Sequence, residues 1–264
     1  MVMKSTQKPI LIAGPCSLEG RVQAHEIADV CGSLADKYGF DYYFKASFDK
    51  ANRSSVDSYR GPGIKKGLEI LKNLKTEGFN LITDIHEINQ VEDVAEVVDV
   101  IQIPAFLCRQ TDLIKAACET NKPLNIKKGQ FLSPEQIENI ILKCKNFGNE
   151  KIMICERGSS FGYNNLVVDM LGMSKMKELN SPIIFDVTHS LQLPGAQGDS
   201  AGGRGNQALD LALSGVAIGL AGIFIEVHPN PEQALCDGPS ATKLDEFEGF
   251  LRKVSEVDNL IKSF

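Results

Sequence analysis

The chain has 264 residues, of which 43% are hydrophobic and 23% are charged, and its formal net charge is −6. This composition is ordinary for a globular protein, and the negative charge argues against nucleic acid or an anionic membrane surface as the main partner. No apolar run approaches the length needed to cross a bilayer, so we expect no membrane partner. The seven cysteines are odd in number and form no CxxC pair, which favours reduced thiols in a cytoplasmic protein.

Short apolar runs alternate with longer helix-period segments along the whole chain. We predict strands at residues 9–13, 40–44, 80–83, 99–103, 123–126, 151–155, 182–185 and 222–227. Helices are predicted at 20–38, 64–77, 87–97, 109–120, 134–147, 165–179, 205–219 and 243–262. Eight such pairs, about 33 residues each, predict one α/β domain over residues 1–264, a single (β/α)₈ TIM barrel. A doubly wound open sheet is the competing architecture, and the count of eight favours the barrel.

The most informative segment, residues 44–63, directly follows the second predicted strand. It carries four cations and four small hydrogen-bonding side chains: Lys45, Lys50, Arg53 and Arg60, interleaved with Ser47, Asn52, Ser54 and Ser55. Arginine offers a planar fork to phosphate or carboxylate oxygens, and lysine offers a point charge. The segment therefore predicts an anion-binding loop, with a solvated basic loop as the alternative.

Polar and ionisable residues gather where the predicted strands end. In strand order they are Cys16, Lys45, Asp84 with His86, Gln102, Lys127 with Lys128, Glu156 with Arg157, Asp186 with His189, and Glu226 with His228. In a barrel these ends all lie on one face, where barrel enzymes place their active sites, so the pattern predicts an enzyme. Six cations expected near that face predict one or two substrates with several negative charges: Lys45, Lys50, Arg53, Arg109, Lys127 and Arg157.

A second group of residues has the chemistry of a metal site: Cys16, His189, Glu226 and Asp237. Thiolate, imidazole and carboxylate together are plausible ligands for a divalent transition metal such as Zn²⁺ or Fe²⁺. Because these residues lie far apart in the sequence, their spacing gives no metal signature. Each also has another explanation, such as a core thiol for Cys16 and a general base for His189.

The glycine-rich residues 194–205 form a longer connection than most strand-to-helix loops. Their length favours a mobile lid or a phosphate-contacting loop, with a merely flexible loop as the alternative. Their spacing matches neither a P-loop nor a dinucleotide fingerprint, which weakens any nucleotide-dependent hypothesis.

With these residues assembled, nearly the whole chain resembles the 3-deoxy-manno-octulosonate 8-phosphate synthases of the DAHP synthase superfamily. The resemblance runs through LIAGPCSLE, FKASFDKANRSS, SYRGPG, LITDIHE, IQIPAFLCRQTDL, NIKKGQF, ERGSSFGYNNLVVDM, FDVTHSLQ, FIEVHP and CDGPSA. KANRSS is the most specific of these, since the sister DAHP synthases differ there. The family consists of (β/α)₈ barrels that usually form tetramers, so the resemblance implies a homotetramer that serves lipopolysaccharide inner-core biosynthesis.

The resemblance also implies the substrate site. Phosphoenolpyruvate would contact Ser47, Lys50, Gln102, Ala105, Lys127 and Arg157. D-arabinose 5-phosphate would contact Lys45, Asn52, Arg53 and Ser54, and Arg109 would reach in from a neighbouring subunit. Asp84 and Gln192 would line the same cavity. We expect the catalytic groups to be Lys45, Asp84, His189 and Asp237.

The metal is implied by the same resemblance. In the metal-dependent branch the ligands would be Cys16, His189, Glu226 and Asp237, holding Zn, Fe or Mn. The metal-free branch carries asparagine at the position of Cys16, so this residue assigns the chain to the metal-dependent branch. The run CDGPSA, residues 236–241, instead resembles the metal-free branch.

The implied reaction joins C3 of phosphoenolpyruvate to the aldehyde carbon of arabinose 5-phosphate. Water adds at C2 of phosphoenolpyruvate, and inorganic phosphate leaves by C–O cleavage. Three alternatives remain open: a DAHP-type synthase that uses erythrose 4-phosphate, a class II-like aldolase that needs a metal but no phosphoenolpyruvate, and a non-catalytic sugar-phosphate-binding barrel.

Overall fold

The computed structural model describes residues 8–194 and 202–264. Its barrel strands are Ile10–Gly14 (β1), Asp41–Lys45 (β2), Leu81–Asp84 (β3), Val100–Ile103 (β4), Leu124–Lys127 (β5), Ile152–Glu156 (β6), Ile183–Asp186 (β7) and Gly222–His228 (β8). Each strand pairs in parallel with the next, and β1 pairs with β8 so that Ile10 lies opposite Gly222. The predicted closed (β/α)₈ barrel is confirmed, and each predicted strand lies within one residue of the observed one.

Helices connect the strands around the outside of the barrel. They are Arg21–Tyr38, Ile64–Thr76, Val91–Ala95, Thr111–Glu119, Ile137–Asn146, Met170–Met176, Ala208–Val216 and Phe247–Lys262. Four of them follow a 3₁₀ turn, at Ile88–Gln90, Pro134–Gln136, Gly205–Gln207 and Leu244–Glu246. None of the helices among the described residues is long and apolar enough to cross a membrane.

The predicted helix at 165–179 was wrong at its start. Leu166–Val167 instead pairs antiparallel with Ser159–Ser160 in a short ribbon. The helix begins at Met170, after Asp169, whose carboxylate accepts a hydrogen bond from the Gly172 backbone N–H. An aspartate N-cap satisfies one of the otherwise unpaired amides of the first turn, so it sets where the helix begins.

Alternation along the strands divides their side chains between two cores. On β8, Ile223 and Ile225 pack in the large core between strands and helices, whereas Phe224 belongs to the small core inside the barrel. Side chains alternate with a period of two, so a residue two positions beyond an inward-facing one also points inward. Glu226 lies two positions beyond Phe224, and the same step connects the interior Ile184 to Asp186 on β7. The fold therefore directs these carboxylates into the mouth of the barrel.

The predicted lid falls only partly within the described residues. Its residues 195–201 lie outside them, so its role stays a prediction. On either side of that segment, Gln192–Leu193 pairs antiparallel with Gly202–Gly203.

Candidate active site

The mouth of the barrel forms one cavity, which collects most of the residues predicted from the sequence. Its walls include Lys45, Lys50, Asn52, Arg53, Ser54, Asp84, Gln102, Ala105, Lys127, Arg157, His189, Gln192 and Asp237. Several of these side chains point inward because strand side chains alternate between two faces. Asp84 lies two positions beyond the interior Ile82, and Gln102 lies two positions beyond the interior Val100. The alternation that fills the barrel with apolar side chains thus also places polar ones at its carboxyl end.

Cations dominate this cavity: Lys45, Lys50, Arg53, Lys127 and Arg157 all line it. Lys45, Lys127 and Arg157 are only 2%, 5% and 6% exposed. Burying a charge is costly unless the charge is paired, and two of these three have carboxylate partners. Arg157 instead donates to Gln192 Oε1 at 2.7 Å, and its buried Nη1 has no acceptor among the described residues. The cavity therefore offers an anion a buried guanidinium donor.

Lys45 lies at the centre of a buried polar network. Its Nζ donates to Ser47 Oγ at 2.9 Å and lies 3.8 Å from a carboxylate oxygen of Asp84 and of Glu226. Ser47 donates a short hydrogen bond to Asp84, and His86 Nε2 lies 3.1 Å from the other Asp84 oxygen. Burial lowers the pKa of Lys45, although both carboxylates act against the shift. This ammonium group is therefore a better proton donor than an ordinary lysine.

Asp186 holds two predicted site residues at once. Its carboxylate accepts a short hydrogen bond from Lys127 Nζ, and Oδ2 lies 2.7 Å from His189 Nδ1. Burial alone would raise the pKa of Asp186, but the charges of His189 and Lys127 outweigh it and hold the pKa well below its usual range. With Nδ1 turned to Asp186, His189 Nε2 faces Glu226 at 3.6 Å and Asp237 at 3.8 Å.

The predicted metal ligands fall into two overlapping groups that share Asp237. The ligand atoms of His189, Glu226 and Asp237 lie within 4.8 Å of one another, and so do those of Cys16, Cys236 and Asp237. Within residues 8–194 and 202–264, no group unites all four predicted ligands at that distance. Cys236 is an addition that the sequence did not predict as a ligand.

The chemistry of this cluster fits a divalent metal. Glu226 is 1% exposed, and neither of its carboxylate oxygens accepts a hydrogen bond from a residue that the structure describes. A buried carboxylate without such partners is costly, and a bound cation would remove that cost. The carboxylate of Asp186 on His189 Nδ1 is also the kind of contact that orients imidazoles toward metals. Sulfur, imidazole nitrogen and carboxylate oxygen together suit Zn²⁺ or Fe²⁺.

Cys16 is held in place by the segment that directly follows β2. Its carbonyl oxygen accepts a hydrogen bond from the Ser47 backbone N–H at 3.4 Å, and its Sγ lies 3.4 Å from Asp237 Oδ2. Burial raises the pKa of Cys16 well above its usual value, and the hydrogen bond with Cys236 and the charge of Asp237 add to the shift. Cys16 is therefore a neutral thiol in the metal-free protein, and a cation must displace its proton to bind it.

Four residues of the predicted substrate and metal sets do not line the cavity. Ser47, Cys16 and Glu226 lie behind its wall and contact residues that form it. Arg109 lies apart, in a separate groove with Leu132 and Lys143, so in a single chain it does not reach the cavity. A contribution of Arg109 from a neighbouring subunit stays a prediction.

Several wall residues had no predicted role in substrate binding, metal binding or catalysis: His86 and Asp186, expected on this face only as strand-end residues, and Phe106 and Gln130. His86 and Asp186 do carry a signal, since both are ionisable and follow predicted strands. Phe106 lies in the 3₁₀ turn Ala105–Leu107 and Gln130 in a loop, and neither segment has a periodicity from which the direction of a side chain can be predicted. The only feature of the sequence that could have identified Cys236 as part of the site is its position next to Asp237.

Known proteins similar to this chain show which family it belongs to. The 2-dehydro-3-deoxyphosphooctonate aldolase of Marinobacter nauticus is 55% identical over 256 residues, covering 97% of this chain and 91% of that protein. The protein of the same name from Shewanella pealeana is 56% identical over 262 residues, covering 98% and 93%. The resemblance found in the sequence is confirmed, and the model of the DAHP synthetase I family matches residues 2–263. The chain belongs to the DAHP synthetase I family.

Proposed function

We propose that this chain condenses phosphoenolpyruvate with D-arabinose 5-phosphate and water, as a transferase of lipopolysaccharide biosynthesis. The products are 3-deoxy-D-manno-octulosonate 8-phosphate and inorganic phosphate. The observation that carries the proposal is the convergence of five cations on one cavity, in a chain whose relatives are named 2-dehydro-3-deoxyphosphooctonate aldolase. Two phosphorylated substrates repel each other, and a cationic cavity offsets that repulsion.

Phosphoenolpyruvate would bind on the side of the cavity formed by β4, β5 and β6. The unpartnered Nη1 of Arg157 is a donor for its carboxylate or phosphate, and Lys127 adds a second charge. The full proposed set is Ser47, Lys50, Gln102, Ala105, Lys127 and Arg157. Because Lys127 is already held by Asp186, it would need little reordering on binding.

The aldose phosphate would bind beside the loop that follows β2. Asn52, Arg53 and Ser54 form adjacent parts of the cavity wall, and the buried Arg53 Nε has no acceptor among the described residues. Lys45 would lie near the aldehyde end. Arg109 would come from a neighbouring subunit of a cytoplasmic homotetramer, which accounts for its distance from the cavity of its own chain.

In the proposed reaction, the C2–C3 double-bond electrons of phosphoenolpyruvate form a bond from C3 to the aldehyde carbon. The carbonyl electron pair moves to the aldehyde oxygen, which takes up a proton, and the lowered pKa of Lys45 makes this lysine a suitable donor. Water adds at C2 and loses a proton. The bond between C2 and the phosphate oxygen then breaks and the C2 hydroxyl loses its proton, so that phosphate leaves and C2 becomes a carbonyl. Lys127 and Arg157 would stabilise the negative charge of the departing phosphate.

The proposal includes a divalent metal, Zn, Fe or Mn, held by Cys16, His189, Glu226 and Asp237. When bound, such an ion supplies a Lewis acid that can polarise a carbonyl or lower the pKa of water. Asp186 would keep His189 turned with Nε2 toward the ion.

A phosphate-release assay tests the proposal. Phosphate should appear only when phosphoenolpyruvate and arabinose 5-phosphate are both present, and a strong chelator should stop its release. Lys127→Ala should abolish phosphate release. The control is Lys175→Ala, which removes an exposed ion pair with Glu135 and should leave phosphate release unchanged. Aldol cleavage without phosphoenolpyruvate would instead indicate a class II-like aldolase. Ligand binding without any turnover would indicate a sugar-phosphate-binding barrel.

A further inference from the structure

We propose that Cys236 is a metal ligand, so that the ion is held by two thiolates rather than by Cys16 alone. This inference rests on the metal centre of the proposed function and adds a donor to it. It also gives a role to the one residue of the cluster that the predicted ligand set leaves out.

The contacts of Cys236 place it within the ligand cluster. Its Sγ lies 2.7 Å from Cys16 Sγ, which in turn lies 3.4 Å from Asp237 Oδ2. All three ligand atoms lie within 4.8 Å of one another, and Cys236 is 3% exposed. A cation that reaches Cys16 and Asp237 would therefore also meet the sulfur of Cys236.

The backbone conformation explains how Cys236 and Asp237, which are neighbours in the sequence, can both approach Cys16 Sγ. In an extended chain, consecutive side chains point to opposite sides. Asp237 instead has φ 50°, in the left-handed region, which is costly for a residue other than glycine. The loop holds this conformation from both sides: Leu235 N–H donates to Glu19 Oε1 at 2.9 Å, and a Cβ on Gly238 would lie 2.2 Å from Pro231 O. The pair of donors is thus preorganised by the loop itself.

The charges around the cluster also favour a cation with more than one thiolate. Glu226 is a buried carboxylate without a hydrogen-bond donor among the described residues, and the side chain of Asp237 is 12% exposed. Arg53 Nη1 lies 3.2 Å from Cys236 Sγ and 3.6 Å from Asp237 Oδ1, so the guanidinium adjoins both donors. A divalent ion together with Arg53 would balance much of the charge that two thiolates and two carboxylates bring.

A second thiolate has a consequence for metal choice. Thiolates favour zinc and iron, whereas carboxylate-rich sites suit manganese. The protein should therefore prefer Zn²⁺ strongly over Mn²⁺, and removal of the Cys236 sulfur should narrow the difference between the two affinities.

The test is a Co²⁺ titration of the chelator-stripped full-length protein, without oxygen and with a non-thiol reductant. The readout is the sulfur-to-cobalt charge-transfer absorption per bound ion, which does not depend on activity. Cys236→Ser should lower this absorption to about half, because one of two sulfur ligands is lost. Cys16→Ser should do the same, whereas Cys31→Ser, a buried thiol of the helix Arg21–Tyr38, should leave it unchanged.

The outcomes separate this inference from the proposed function. If Cys236→Ser binds Co²⁺ with the wild-type absorption and affinity, Cys236 is not a ligand, while the metal centre itself stands. If the wild-type protein binds neither Co²⁺ nor Zn²⁺, the metal centre falls and the inference falls with it. X-ray absorption of the zinc-loaded wild-type protein covers the case in which the variant does not fold. Two sulfur neighbours around zinc would support the inference, and one would overturn it.

Discussion

Asp186 contacts His189 twice across the single helical turn Val187–Ser190. The His189 backbone N–H donates to Oδ1 at 2.9 Å, and the imidazole Nδ1 lies 2.7 Å from Oδ2. The same buried carboxylate also accepts a hydrogen bond from Lys127. One side chain at the end of β7 therefore orients both a proposed metal ligand and a proposed substrate-binding cation.

Replacement of Asp186 by asparagine should weaken metal binding by about 10- to 100-fold, because the imidazole of His189 loses the charged partner that orients it. A competition titration of Zn²⁺ against a chromophoric chelator measures this affinity. Asp210→Asn, at an exposed aspartate of the helix Ala208–Val216, is the matched control and should bind like the wild type. Wild-type affinity in Asp186→Asn would show that Asp186 does not orient a metal ligand.

The two arginines of the cavity should affect different substrates. Arg53→Ala should raise the KM for arabinose 5-phosphate by about 10- to 100-fold, the loss expected for one charge-assisted hydrogen bond. Arg157→Ala should have a similar effect on the KM for phosphoenolpyruvate. Initial rates with one substrate varied and the other saturating measure both constants. Equal effects of each variant on both substrates would refute the proposed division of the cavity.

Acid should destabilise the metal-free protein partly through Asp84. Burial alone would raise the pKa of Asp84, but Lys45 and His86 outweigh it and hold the folded-state pKa well below the usual value. The resulting stabilisation is present above the unfolded-state pKa, about 3.9 for an aspartate, and is lost as pH falls toward the folded-state pKa. Between pH 7 and pH 3, the free energy of unfolding measured in urea should fall more steeply for the wild type than for Asp84→Asn. An equal fall in both proteins would mean that Asp84 does not contribute to the loss of stability in acid.

Whether the activity requires a metal should depend on Cys16. The purified protein should carry a divalent metal, a strong chelator should abolish turnover, and Zn²⁺, Fe²⁺ or Mn²⁺ should restore part of it. Cys16→Asn should bind metal weakly, since an amide is a poor replacement for a thiolate. Elemental analysis and rates before and after chelation measure both effects. Full activity after exhaustive chelation, with no metal detected, would place the chain in the metal-free branch.

Much of the barrel and of the cavity could be predicted because both depend on the same period of two. Short apolar runs located the strands, and the polar residues at their ends, such as Lys45 and Asp84, had to converge once the sheet closed. The helix predicted from residue 165 failed at its start because periodicity does not register the Asp169 cap or the ribbon before it.

Contacts set by loops were not predictable in this way. Cys236 meets Cys16 because Asp237 takes a left-handed conformation, and no local pattern in the sequence requires that of an aspartate. Phe106 and Gln130 enter the cavity from the 3₁₀ turn after β4 and the loop after β5, and the directions of these segments depend on packing between distant parts of the chain. Arg109 lies outside the cavity of its own chain, and only an assembly of several chains could bring it there.

The most direct test of the proposed function compares two aldose phosphates in the same assay. With phosphoenolpyruvate saturating, kcat/KM is measured from phosphate release for arabinose 5-phosphate and for erythrose 4-phosphate, and each product is identified by its mass. The proposal predicts a clear preference for arabinose 5-phosphate and an eight-carbon product. An equal or reversed preference, with a seven-carbon product, would contradict it and indicate a DAHP-type synthase.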